Sequence, residues 1–231
     1  MKKNPFKYFK TSEQIIRLAV MYYVRYPLSL RQVEDILHER GIEISHEAVR
    51  FWWRRFGDKF AKSIREKRRN CHSNWQWHLD EVFVKIKGKR YYLWRAVDQE
   101  GEVLEANVSK KRNKREALKF LKKLMRKYGN PHKIVTDRLA SYRAALKDLS
   151  MVLKQEVGRY KNNRAENSHL VFRRRERAMK YFRKEESLQR FTSIQGAIYN
   201  HFNHERHYYK REEFKQKREA ALTEWRNLSI A

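Results

Sequence analysis

The sequence predicts an α/β fold, a mixed sheet flanked by helices, preceded by an all-helical module. Three observations carry this. Apolar residues recur at helical spacing up to about residue 60, alternate in strand fashion from Trp77, and return to helical spacing after Asn163. Only 7 Gly and 3 Pro occur among 231 residues, and no Ser/Gly/Pro-rich linker separates the regions. Hydrophobic residues make up 41%, 13% aromatic, which is enough to build a core despite 35% charged residues.

The first region predicts three helices. Thr11 and Gln14 form a capping-box pattern, after which Ile15, Leu18, Ala19, Tyr22 and Tyr23 share one face. Ser29 with Gln32 repeats the start signal for a helix that turns Val33, Ile36 and Leu37 inward and stops at Gly41. Ser45 or His46 opens the third, SHEAVRFWWRRF, with Val49, Trp52, Trp53 and Phe56 for packing. Helix, glycine-containing turn and helix is the helix-turn-helix plan, whose second helix enters a DNA major groove. Arg50, Arg54 and Arg55 lie on or near that helix as candidate DNA contacts. A three-helix packing unit with a solvated basic face would show the same pattern.

After the basic stretch KSIREKRRN, the run from Trp77 to Lys110 predicts a three-stranded meander, with turns at Lys87-Gly88 and at Asp98-Gln99-Glu100-Gly101. A helix starts at Asn113, buries Ala117, Leu118, Leu121, Leu124 and Met125, and stops at Gly129-Asn130-Pro131. HKIVTD is a short buried strand; a helix (SYRAALKDL), a strand around Val152 to Val157 and further helices follow. The order βββαβαβ lets the strand after the crossover helix lie beside the first. The expected units are a helix-turn-helix module at 1–60, a basic connector at 61–74, a sheet domain at 75–184 and a C-terminal helical segment at 185–231.

Charge narrows the partner. Lys and Arg total 55 against 27 Asp and Glu, a formal net charge of +28. Such an excess calls for a polyanion, and nucleic acid fits better than a membrane surface. No apolar run approaches the roughly 20 residues of a spanning helix. The opening MKKNPFKYFK lacks the apolar segment of a signal peptide, and the single Cys71 excludes an intramolecular disulfide, so a cytoplasmic location is expected.

Three carboxylates stand at positions suited to chemistry. Asp80 lies within the apolar strand WHLDEVFV, where a charge is costly without a partner, and its neighbour Glu81 faces the other side. Asp137 ends the strand HKIVTD, at the carboxyl edge where open α/β sheets place their sites. Adjacent strands would bring the two together, and their repulsion implies a divalent cation, magnesium. Glu166 opens a late helix, with Arg173 seven positions on, along the stripe of His169 and Leu170. A metal-binding Glu beside a phosphate-binding Arg suits phosphoryl transfer on DNA. Each carboxylate alone has a structural explanation: Asp80 in an ion pair, Asp137 capping the next helix, Glu166 in a surface pair. Their joint placement argues otherwise.

The series WHLDEVFVKI, IVTDRLASY and NNRAENSHLVFRRRER closely resembles the three DDE motifs of bacterial insertion-sequence transposases, in particular insertion-sequence family six. The likeness spans nearly the whole chain. The interval from Asp137 to Glu166 is about half that from Asp80 to Asp137 and leaves no room for an inserted domain. The resemblance implies a ribonuclease H-like fold, a catalytic, metal-binding triad of Asp80, Asp137 and Glu166, and a catalytic Arg173 at the family's basic position. It further implies two Mg2+ ions, with Mn2+ as substitute. The activity that the resemblance implies is cleavage of transposon ends to expose 3′-hydroxyls and their transfer into target DNA, typically through cointegrates. A homodimer or larger synaptic complex on double-stranded transposon ends and target DNA is expected, in the bacterial cytoplasm at the nucleoid. The alternatives are a non-enzymatic helix-turn-helix regulator and a nuclease of the same fold that does not join strands.

Other residues have plainer expectations. Arg174 and Arg175, with Arg173, belong to a basic run expected to track the DNA backbone. Trp75 and Trp77 are expected to pack, and Asp98 to serve its turn. Cys71, His72 and His78 are too few for structural zinc, and His201, His204 and His207 lack an acidic partner for a metal. Leu188, Phe191, Ile198 and Phe202 form an apolar stripe for either a dimer or the core.

Overall fold

A computed structural model describes residues 4–68, 74–158, 161–204 and 209–228. The helical module comprises α1 (Glu13–Arg25), α2 (Leu30–His38) and α3 (His46–Lys67). Ser29 and Gln32 complete the expected capping box, and Ser45 caps α3. The cap of α1 is Ser12, one residue after the expected Thr11. Helix α3 is longer than expected because Phe60, Ala61 and Ile64 continue its buried face. Residues 61–67 of the expected basic connector are therefore the last turns of α3. Arg65 there donates to the Ser193 carbonyl and hydroxyl, and Arg68 pairs with Glu102.

The sheet holds β1 (Gln76–Ile86), β2 (Lys89–Asp98), β3 (Val103–Ser109), β4 (Lys133–Thr136) and β5 (Gln155–Val157). Their order is β3-β2-β1-β4-β5, with β1, β2 and β3 antiparallel and β4 and β5 parallel to β1. This is the ribonuclease H-like mixed sheet. Lys87 and Gly88 both take positive φ, 48° and 80°, the two-residue turn whose twist matches a hairpin. Asp98 has the expected turn duty: its Oδ1 accepts the N–H groups of Glu100 and Glu102 at 3.1 and 2.9 Å.

One face of the sheet packs Trp77, Leu79, Trp94, Ala96 and Leu104 against α4 (Lys114–Tyr128) and α5 (Ala140–Asp148). The opposite face sets Val84, Ile86, Leu93 and Ala106 into a core shared with the helical module and with α6 (Asn163–Ala178) and α7 (Glu185–Phe202). Helix α8 (Arg211–Arg226) closes it through Trp225, whose ring lies 4.7 Å from that of Phe60. Leu188, Phe191 and Ile198 are wholly buried here, so the C-terminal stripe is core. Trp77 packs as expected, but Trp75 is 53% exposed, with its ring tilted against that of His132 at 5.1 Å. Among the described residues, no helix is long and apolar enough to cross a membrane.

Because the helical module and one sheet face share a core, they should unfold together. Phe60→Ala should destabilise the chain by about 3–5 kcal/mol. Helix and tryptophan signals should stay coincident in denaturant; two separated transitions would show that the module is an independent unit.

Candidate active site

The site forms where β4 ends. β4 pairs with β1 only as far as Thr136 opposite Leu79, so β1 runs on from Asp80 with a bare edge. Asp80 and Glu81 are directed to opposite faces by strand alternation, yet both reach around that edge. Ligand oxygens of Asp80, Glu81 and Asp137 lie within 4.8 Å of one another. The structure thus brings Asp80 and Asp137 together as expected and adds Glu81. Face alternation conceals Glu81, because it describes where a side chain starts and not how far a glutamate reaches past an unpaired edge.

Electrostatics follow from this crowding. Burial, with the charges of Glu81 and Asp137, pushes the Asp80 carboxyl up to about 7; Glu166 adds a weaker contribution. Burial and Asp137 also raise Glu81, against the opposing pull of Arg112. Arg112, in the loop before α4, donates from Nε to Glu81 Oε1 at 2.6 Å, and its Nη2 lies against the same oxygen and 3.6 Å from Asp137 Oδ2. Asp137 Oδ1 accepts the Leu139 N–H at 3.0 Å, which orders the turn into α5.

Helix α6 lies over Asp80. Asn162, just before it, donates to the Leu79 carbonyl at 2.9 Å, and His169 Nε2 approaches Asp80 Oδ2 at 3.5 Å. Burial, with Arg95 and Arg173 nearby, pushes His169 down to about 3, so the imidazole is neutral and gives Asp80 no counter-charge. Glu166 is exposed on the first turn of α6 between these two attachments, outside the close carboxylate group.

The basic residues separate. Arg173 is half-buried, donating to Glu176 Oε2 at 2.6 Å and to the Phe83 carbonyl, so it grips the β1 edge. Arg174 is exposed. Arg175 corrects the expected DNA-facing run: it is 1% exposed, 4.4 Å from the Tyr23 ring and 5.4 Å from that of Phe191. Consecutive helical residues point about 100° apart, so three adjacent arginines cannot share a face. Arg54 and Arg55 are exposed on α3, while Arg50 pairs with Glu47.

A groove of ≈ 560 Å³ opens beside Asp137, lined by Arg138, Leu139, Arg143, Val152, Gln155 and Val157. Of the histidine series, His201 is buried with Nε2 2.8 Å from the Ala221 carbonyl, and His207, like Cys71 and His72, lies outside the described residues.

A family model described as a DDE domain matches residues 74–205. A transposase for insertion sequence-like element IS431mec of Staphylococcus aureus is 33% identical over 171 residues, 72% of this chain and 75% of that one. A transposase for insertion sequence element IS257 in transposon Tn4003, also from Staphylococcus aureus, is similar to the same extent. Among solved structures, the catalytic core domain of HTLV-2 integrase in complex with magnesium is similar at a TM-score of 0.43 and 20% identity, over 58% of this chain and 90% of that one.

The raised Asp80 has a measurable consequence. Its folded value of about 7 stands above the ordinary 3.8, so the folded state holds the extra proton. The resulting penalty is absent below about pH 4, grows as pH rises through this window and is complete above 7. In chelator at pH 8, Asp80→Asn should raise stability by roughly 1–3 kcal/mol, with little change at pH 4. Equal effects at both pH values, read from thermal melts, would contradict the crowded-carboxylate account.

Proposed function

The chain belongs to the DDE transposases of insertion-sequence family six, and from that premise we propose that it binds terminal inverted repeats and catalyses 3′-end cleavage and strand transfer. The observation that carries this reading is the meeting of Asp80 and Asp137 at the end of β4, beneath a helix that presents Glu166. The enzyme class is a metal-dependent polynucleotidyl transferase, and cointegrates are the expected product.

The donors fit a hard divalent cation. They are all carboxylate oxygens, crowded enough to raise Asp80, with Arg112 lying against Glu81 and Asp137. Asp80 and Asp137 would hold it, with Glu166 completing the set, and two Mg2+ or Mn2+ ions are expected. When bound, such ions activate the attacking oxygen and steady the leaving one. The remaining work falls to the chain. Asn162 and His169 fix α6 on β1, so Glu166 stays near Asp80. Arg173, locked on Phe83, supplies fixed positive charge along the same edge. The groove with Arg138 and Arg143 offers a path for a DNA strand away from Asp137.

Residues 1–60 are assigned to end recognition, through Arg50, Arg54 and Arg55, and Arg174 to backbone contact. Two ends must be brought together, so a homodimer or larger synaptic complex on double-stranded DNA is proposed, in the cytoplasm and on the nucleoid.

Asp80→Asn, Asp137→Asn and Glu166→Gln should each keep affinity for end DNA and lose metal-dependent joining by at least about 10²-fold. Joining that survives any one of them excludes that residue, and cleavage without joining in the unaltered chain marks a nuclease. Arg174→Ala should lower the slope of log affinity against log salt by about 1. Arg175→Met should leave that slope unchanged, since its guanidinium is enclosed.

A further inference from the structure

Arg112 is the cation nearest the carboxylates, and its geometry is asymmetric. Nε and Nη2 rest on Glu81 Oε1, and Nη2 also faces Asp137, while Nη1 meets no partner among the described residues. The Arg112 side chain is 41% exposed and the Glu81 side chain 1%. One edge of the guanidinium is therefore anchored on a buried base and the other opens to solvent. Its loop neighbours point elsewhere: Lys110 pairs with Glu185 and Lys114 with Asp148.

Resting on the transposase reading above, we propose that Arg112, anchored by Glu81 and facing Asp137, is a phosphate-contacting residue of the active site. Three features support this. A planar guanidinium held along one edge presents its other N–H groups in a fixed fork, the geometry that matches phosphate oxygens. The anchor places that fork within 3.6 Å of an Asp137 oxygen, so a phosphate drawn to Asp80 and Asp137 comes within its reach. Glu81 Oε1 is already committed to two guanidinium nitrogens, which suits an anchor better than a metal ligand. The Glu81 charge also holds Arg112 in place without neutralising Asp80.

The test uses the full chain, with Mn2+ alone titrated calorimetrically and with joining of a pre-cut end duplex. Joining by the unaltered chain and its loss in Asp137→Asn establish the transposase reading first. If either fails, that reading falls and takes this proposal with it; otherwise the Arg112 results decide alone. Arg112→Gln should slow joining by about 10²-fold or more, the usual cost of one lost anion-stabilising donor. It should also tighten Mn2+ binding by about threefold or more, because a competing cation has left Asp137.

Arg112→Lys should return Mn2+ affinity to near the original but recover less than about tenfold of the joining, since an ammonium lacks the fork. It also reads the proposal should Arg112→Gln fold poorly. Glu81→Gln should slow joining like Arg112→Gln without weakening Mn2+ binding, and the double variant should be no slower than either single one. Joining within about threefold of the original in Arg112→Gln overturns the proposal, as do additive losses in the double variant. A loss of Mn2+ binding in Glu81→Gln overturns it too, by making Glu81 a metal ligand.

Discussion

Carboxylates that repel one another are held together where β4 stops short of its neighbour. A longer β4 would occupy the edge of β1 with backbone hydrogen bonds; a strand ending at Thr136 leaves Asp80 and Glu81 free to bend toward Asp137. At about 4 Å and an effective dielectric of about 20, two unit charges repel by about 4 kcal/mol. The chain meets part of this with Arg112 and part with a proton on Asp80, while the adjacent imidazole stays neutral. The cluster therefore remains short of positive charge, which a divalent cation held by these carboxylates would supply.

The same bare edge organises α6. Three attachments run along β1 in order: Asn162 to the Leu79 carbonyl, His169 to Asp80, and Arg173 to the Phe83 carbonyl. They orient a helix that has little apolar surface of its own, and they suspend Glu166 between the first two. Two residues beyond Arg173, the Arg175 guanidinium lies against the rings of both Tyr23 on α1 and Phe191 on α7. One helix thus joins the carboxylates to the module assigned to reading DNA.

Much of this was legible before any coordinates. The change from helical to alternating period located the sheet, turn residues marked both hairpins, and a strand ending in aspartate pointed to Asp137. What stayed hidden depends on tertiary partners. Strand alternation gives the direction of Glu81 and says nothing of its reach at an unpaired edge. Arg112 lies in a loop without periodicity, 31 positions from its partner Glu81. In α6, Phe172 and Ala165 are too few to show which face is buried, so Arg174 and Arg175 could not be told apart. The basic end of α3 resembled a connector because Phe60, Ala61 and Ile64 are diluted by lysine and arginine.

That ambiguity alters what a net charge of +28 means. Arg17 is buried and donates to the Leu228 carbonyl at 2.7 Å, tying α1 to the end of the chain. Arg65, Arg68 and Arg190 hold elements together, and Arg175 is enclosed by aromatic rings. Arg95 is buried opposite Asp80 in the β1–β2 register, where its field helps keep His169 neutral. Arg17, Arg95 and Arg175 serve the interior and cannot also meet phosphate, while Arg65, Arg68 and Arg190 are committed to contacts within the chain. Under the proposed function, salt-dependent attraction for DNA would come from the exposed remainder, and the surface able to grip a backbone is smaller than the composition implies. A smaller grip would suit the proposed strand transfer, because each additional phosphate contact would deepen the bound state on both sides of the exchange without lowering the barrier between them.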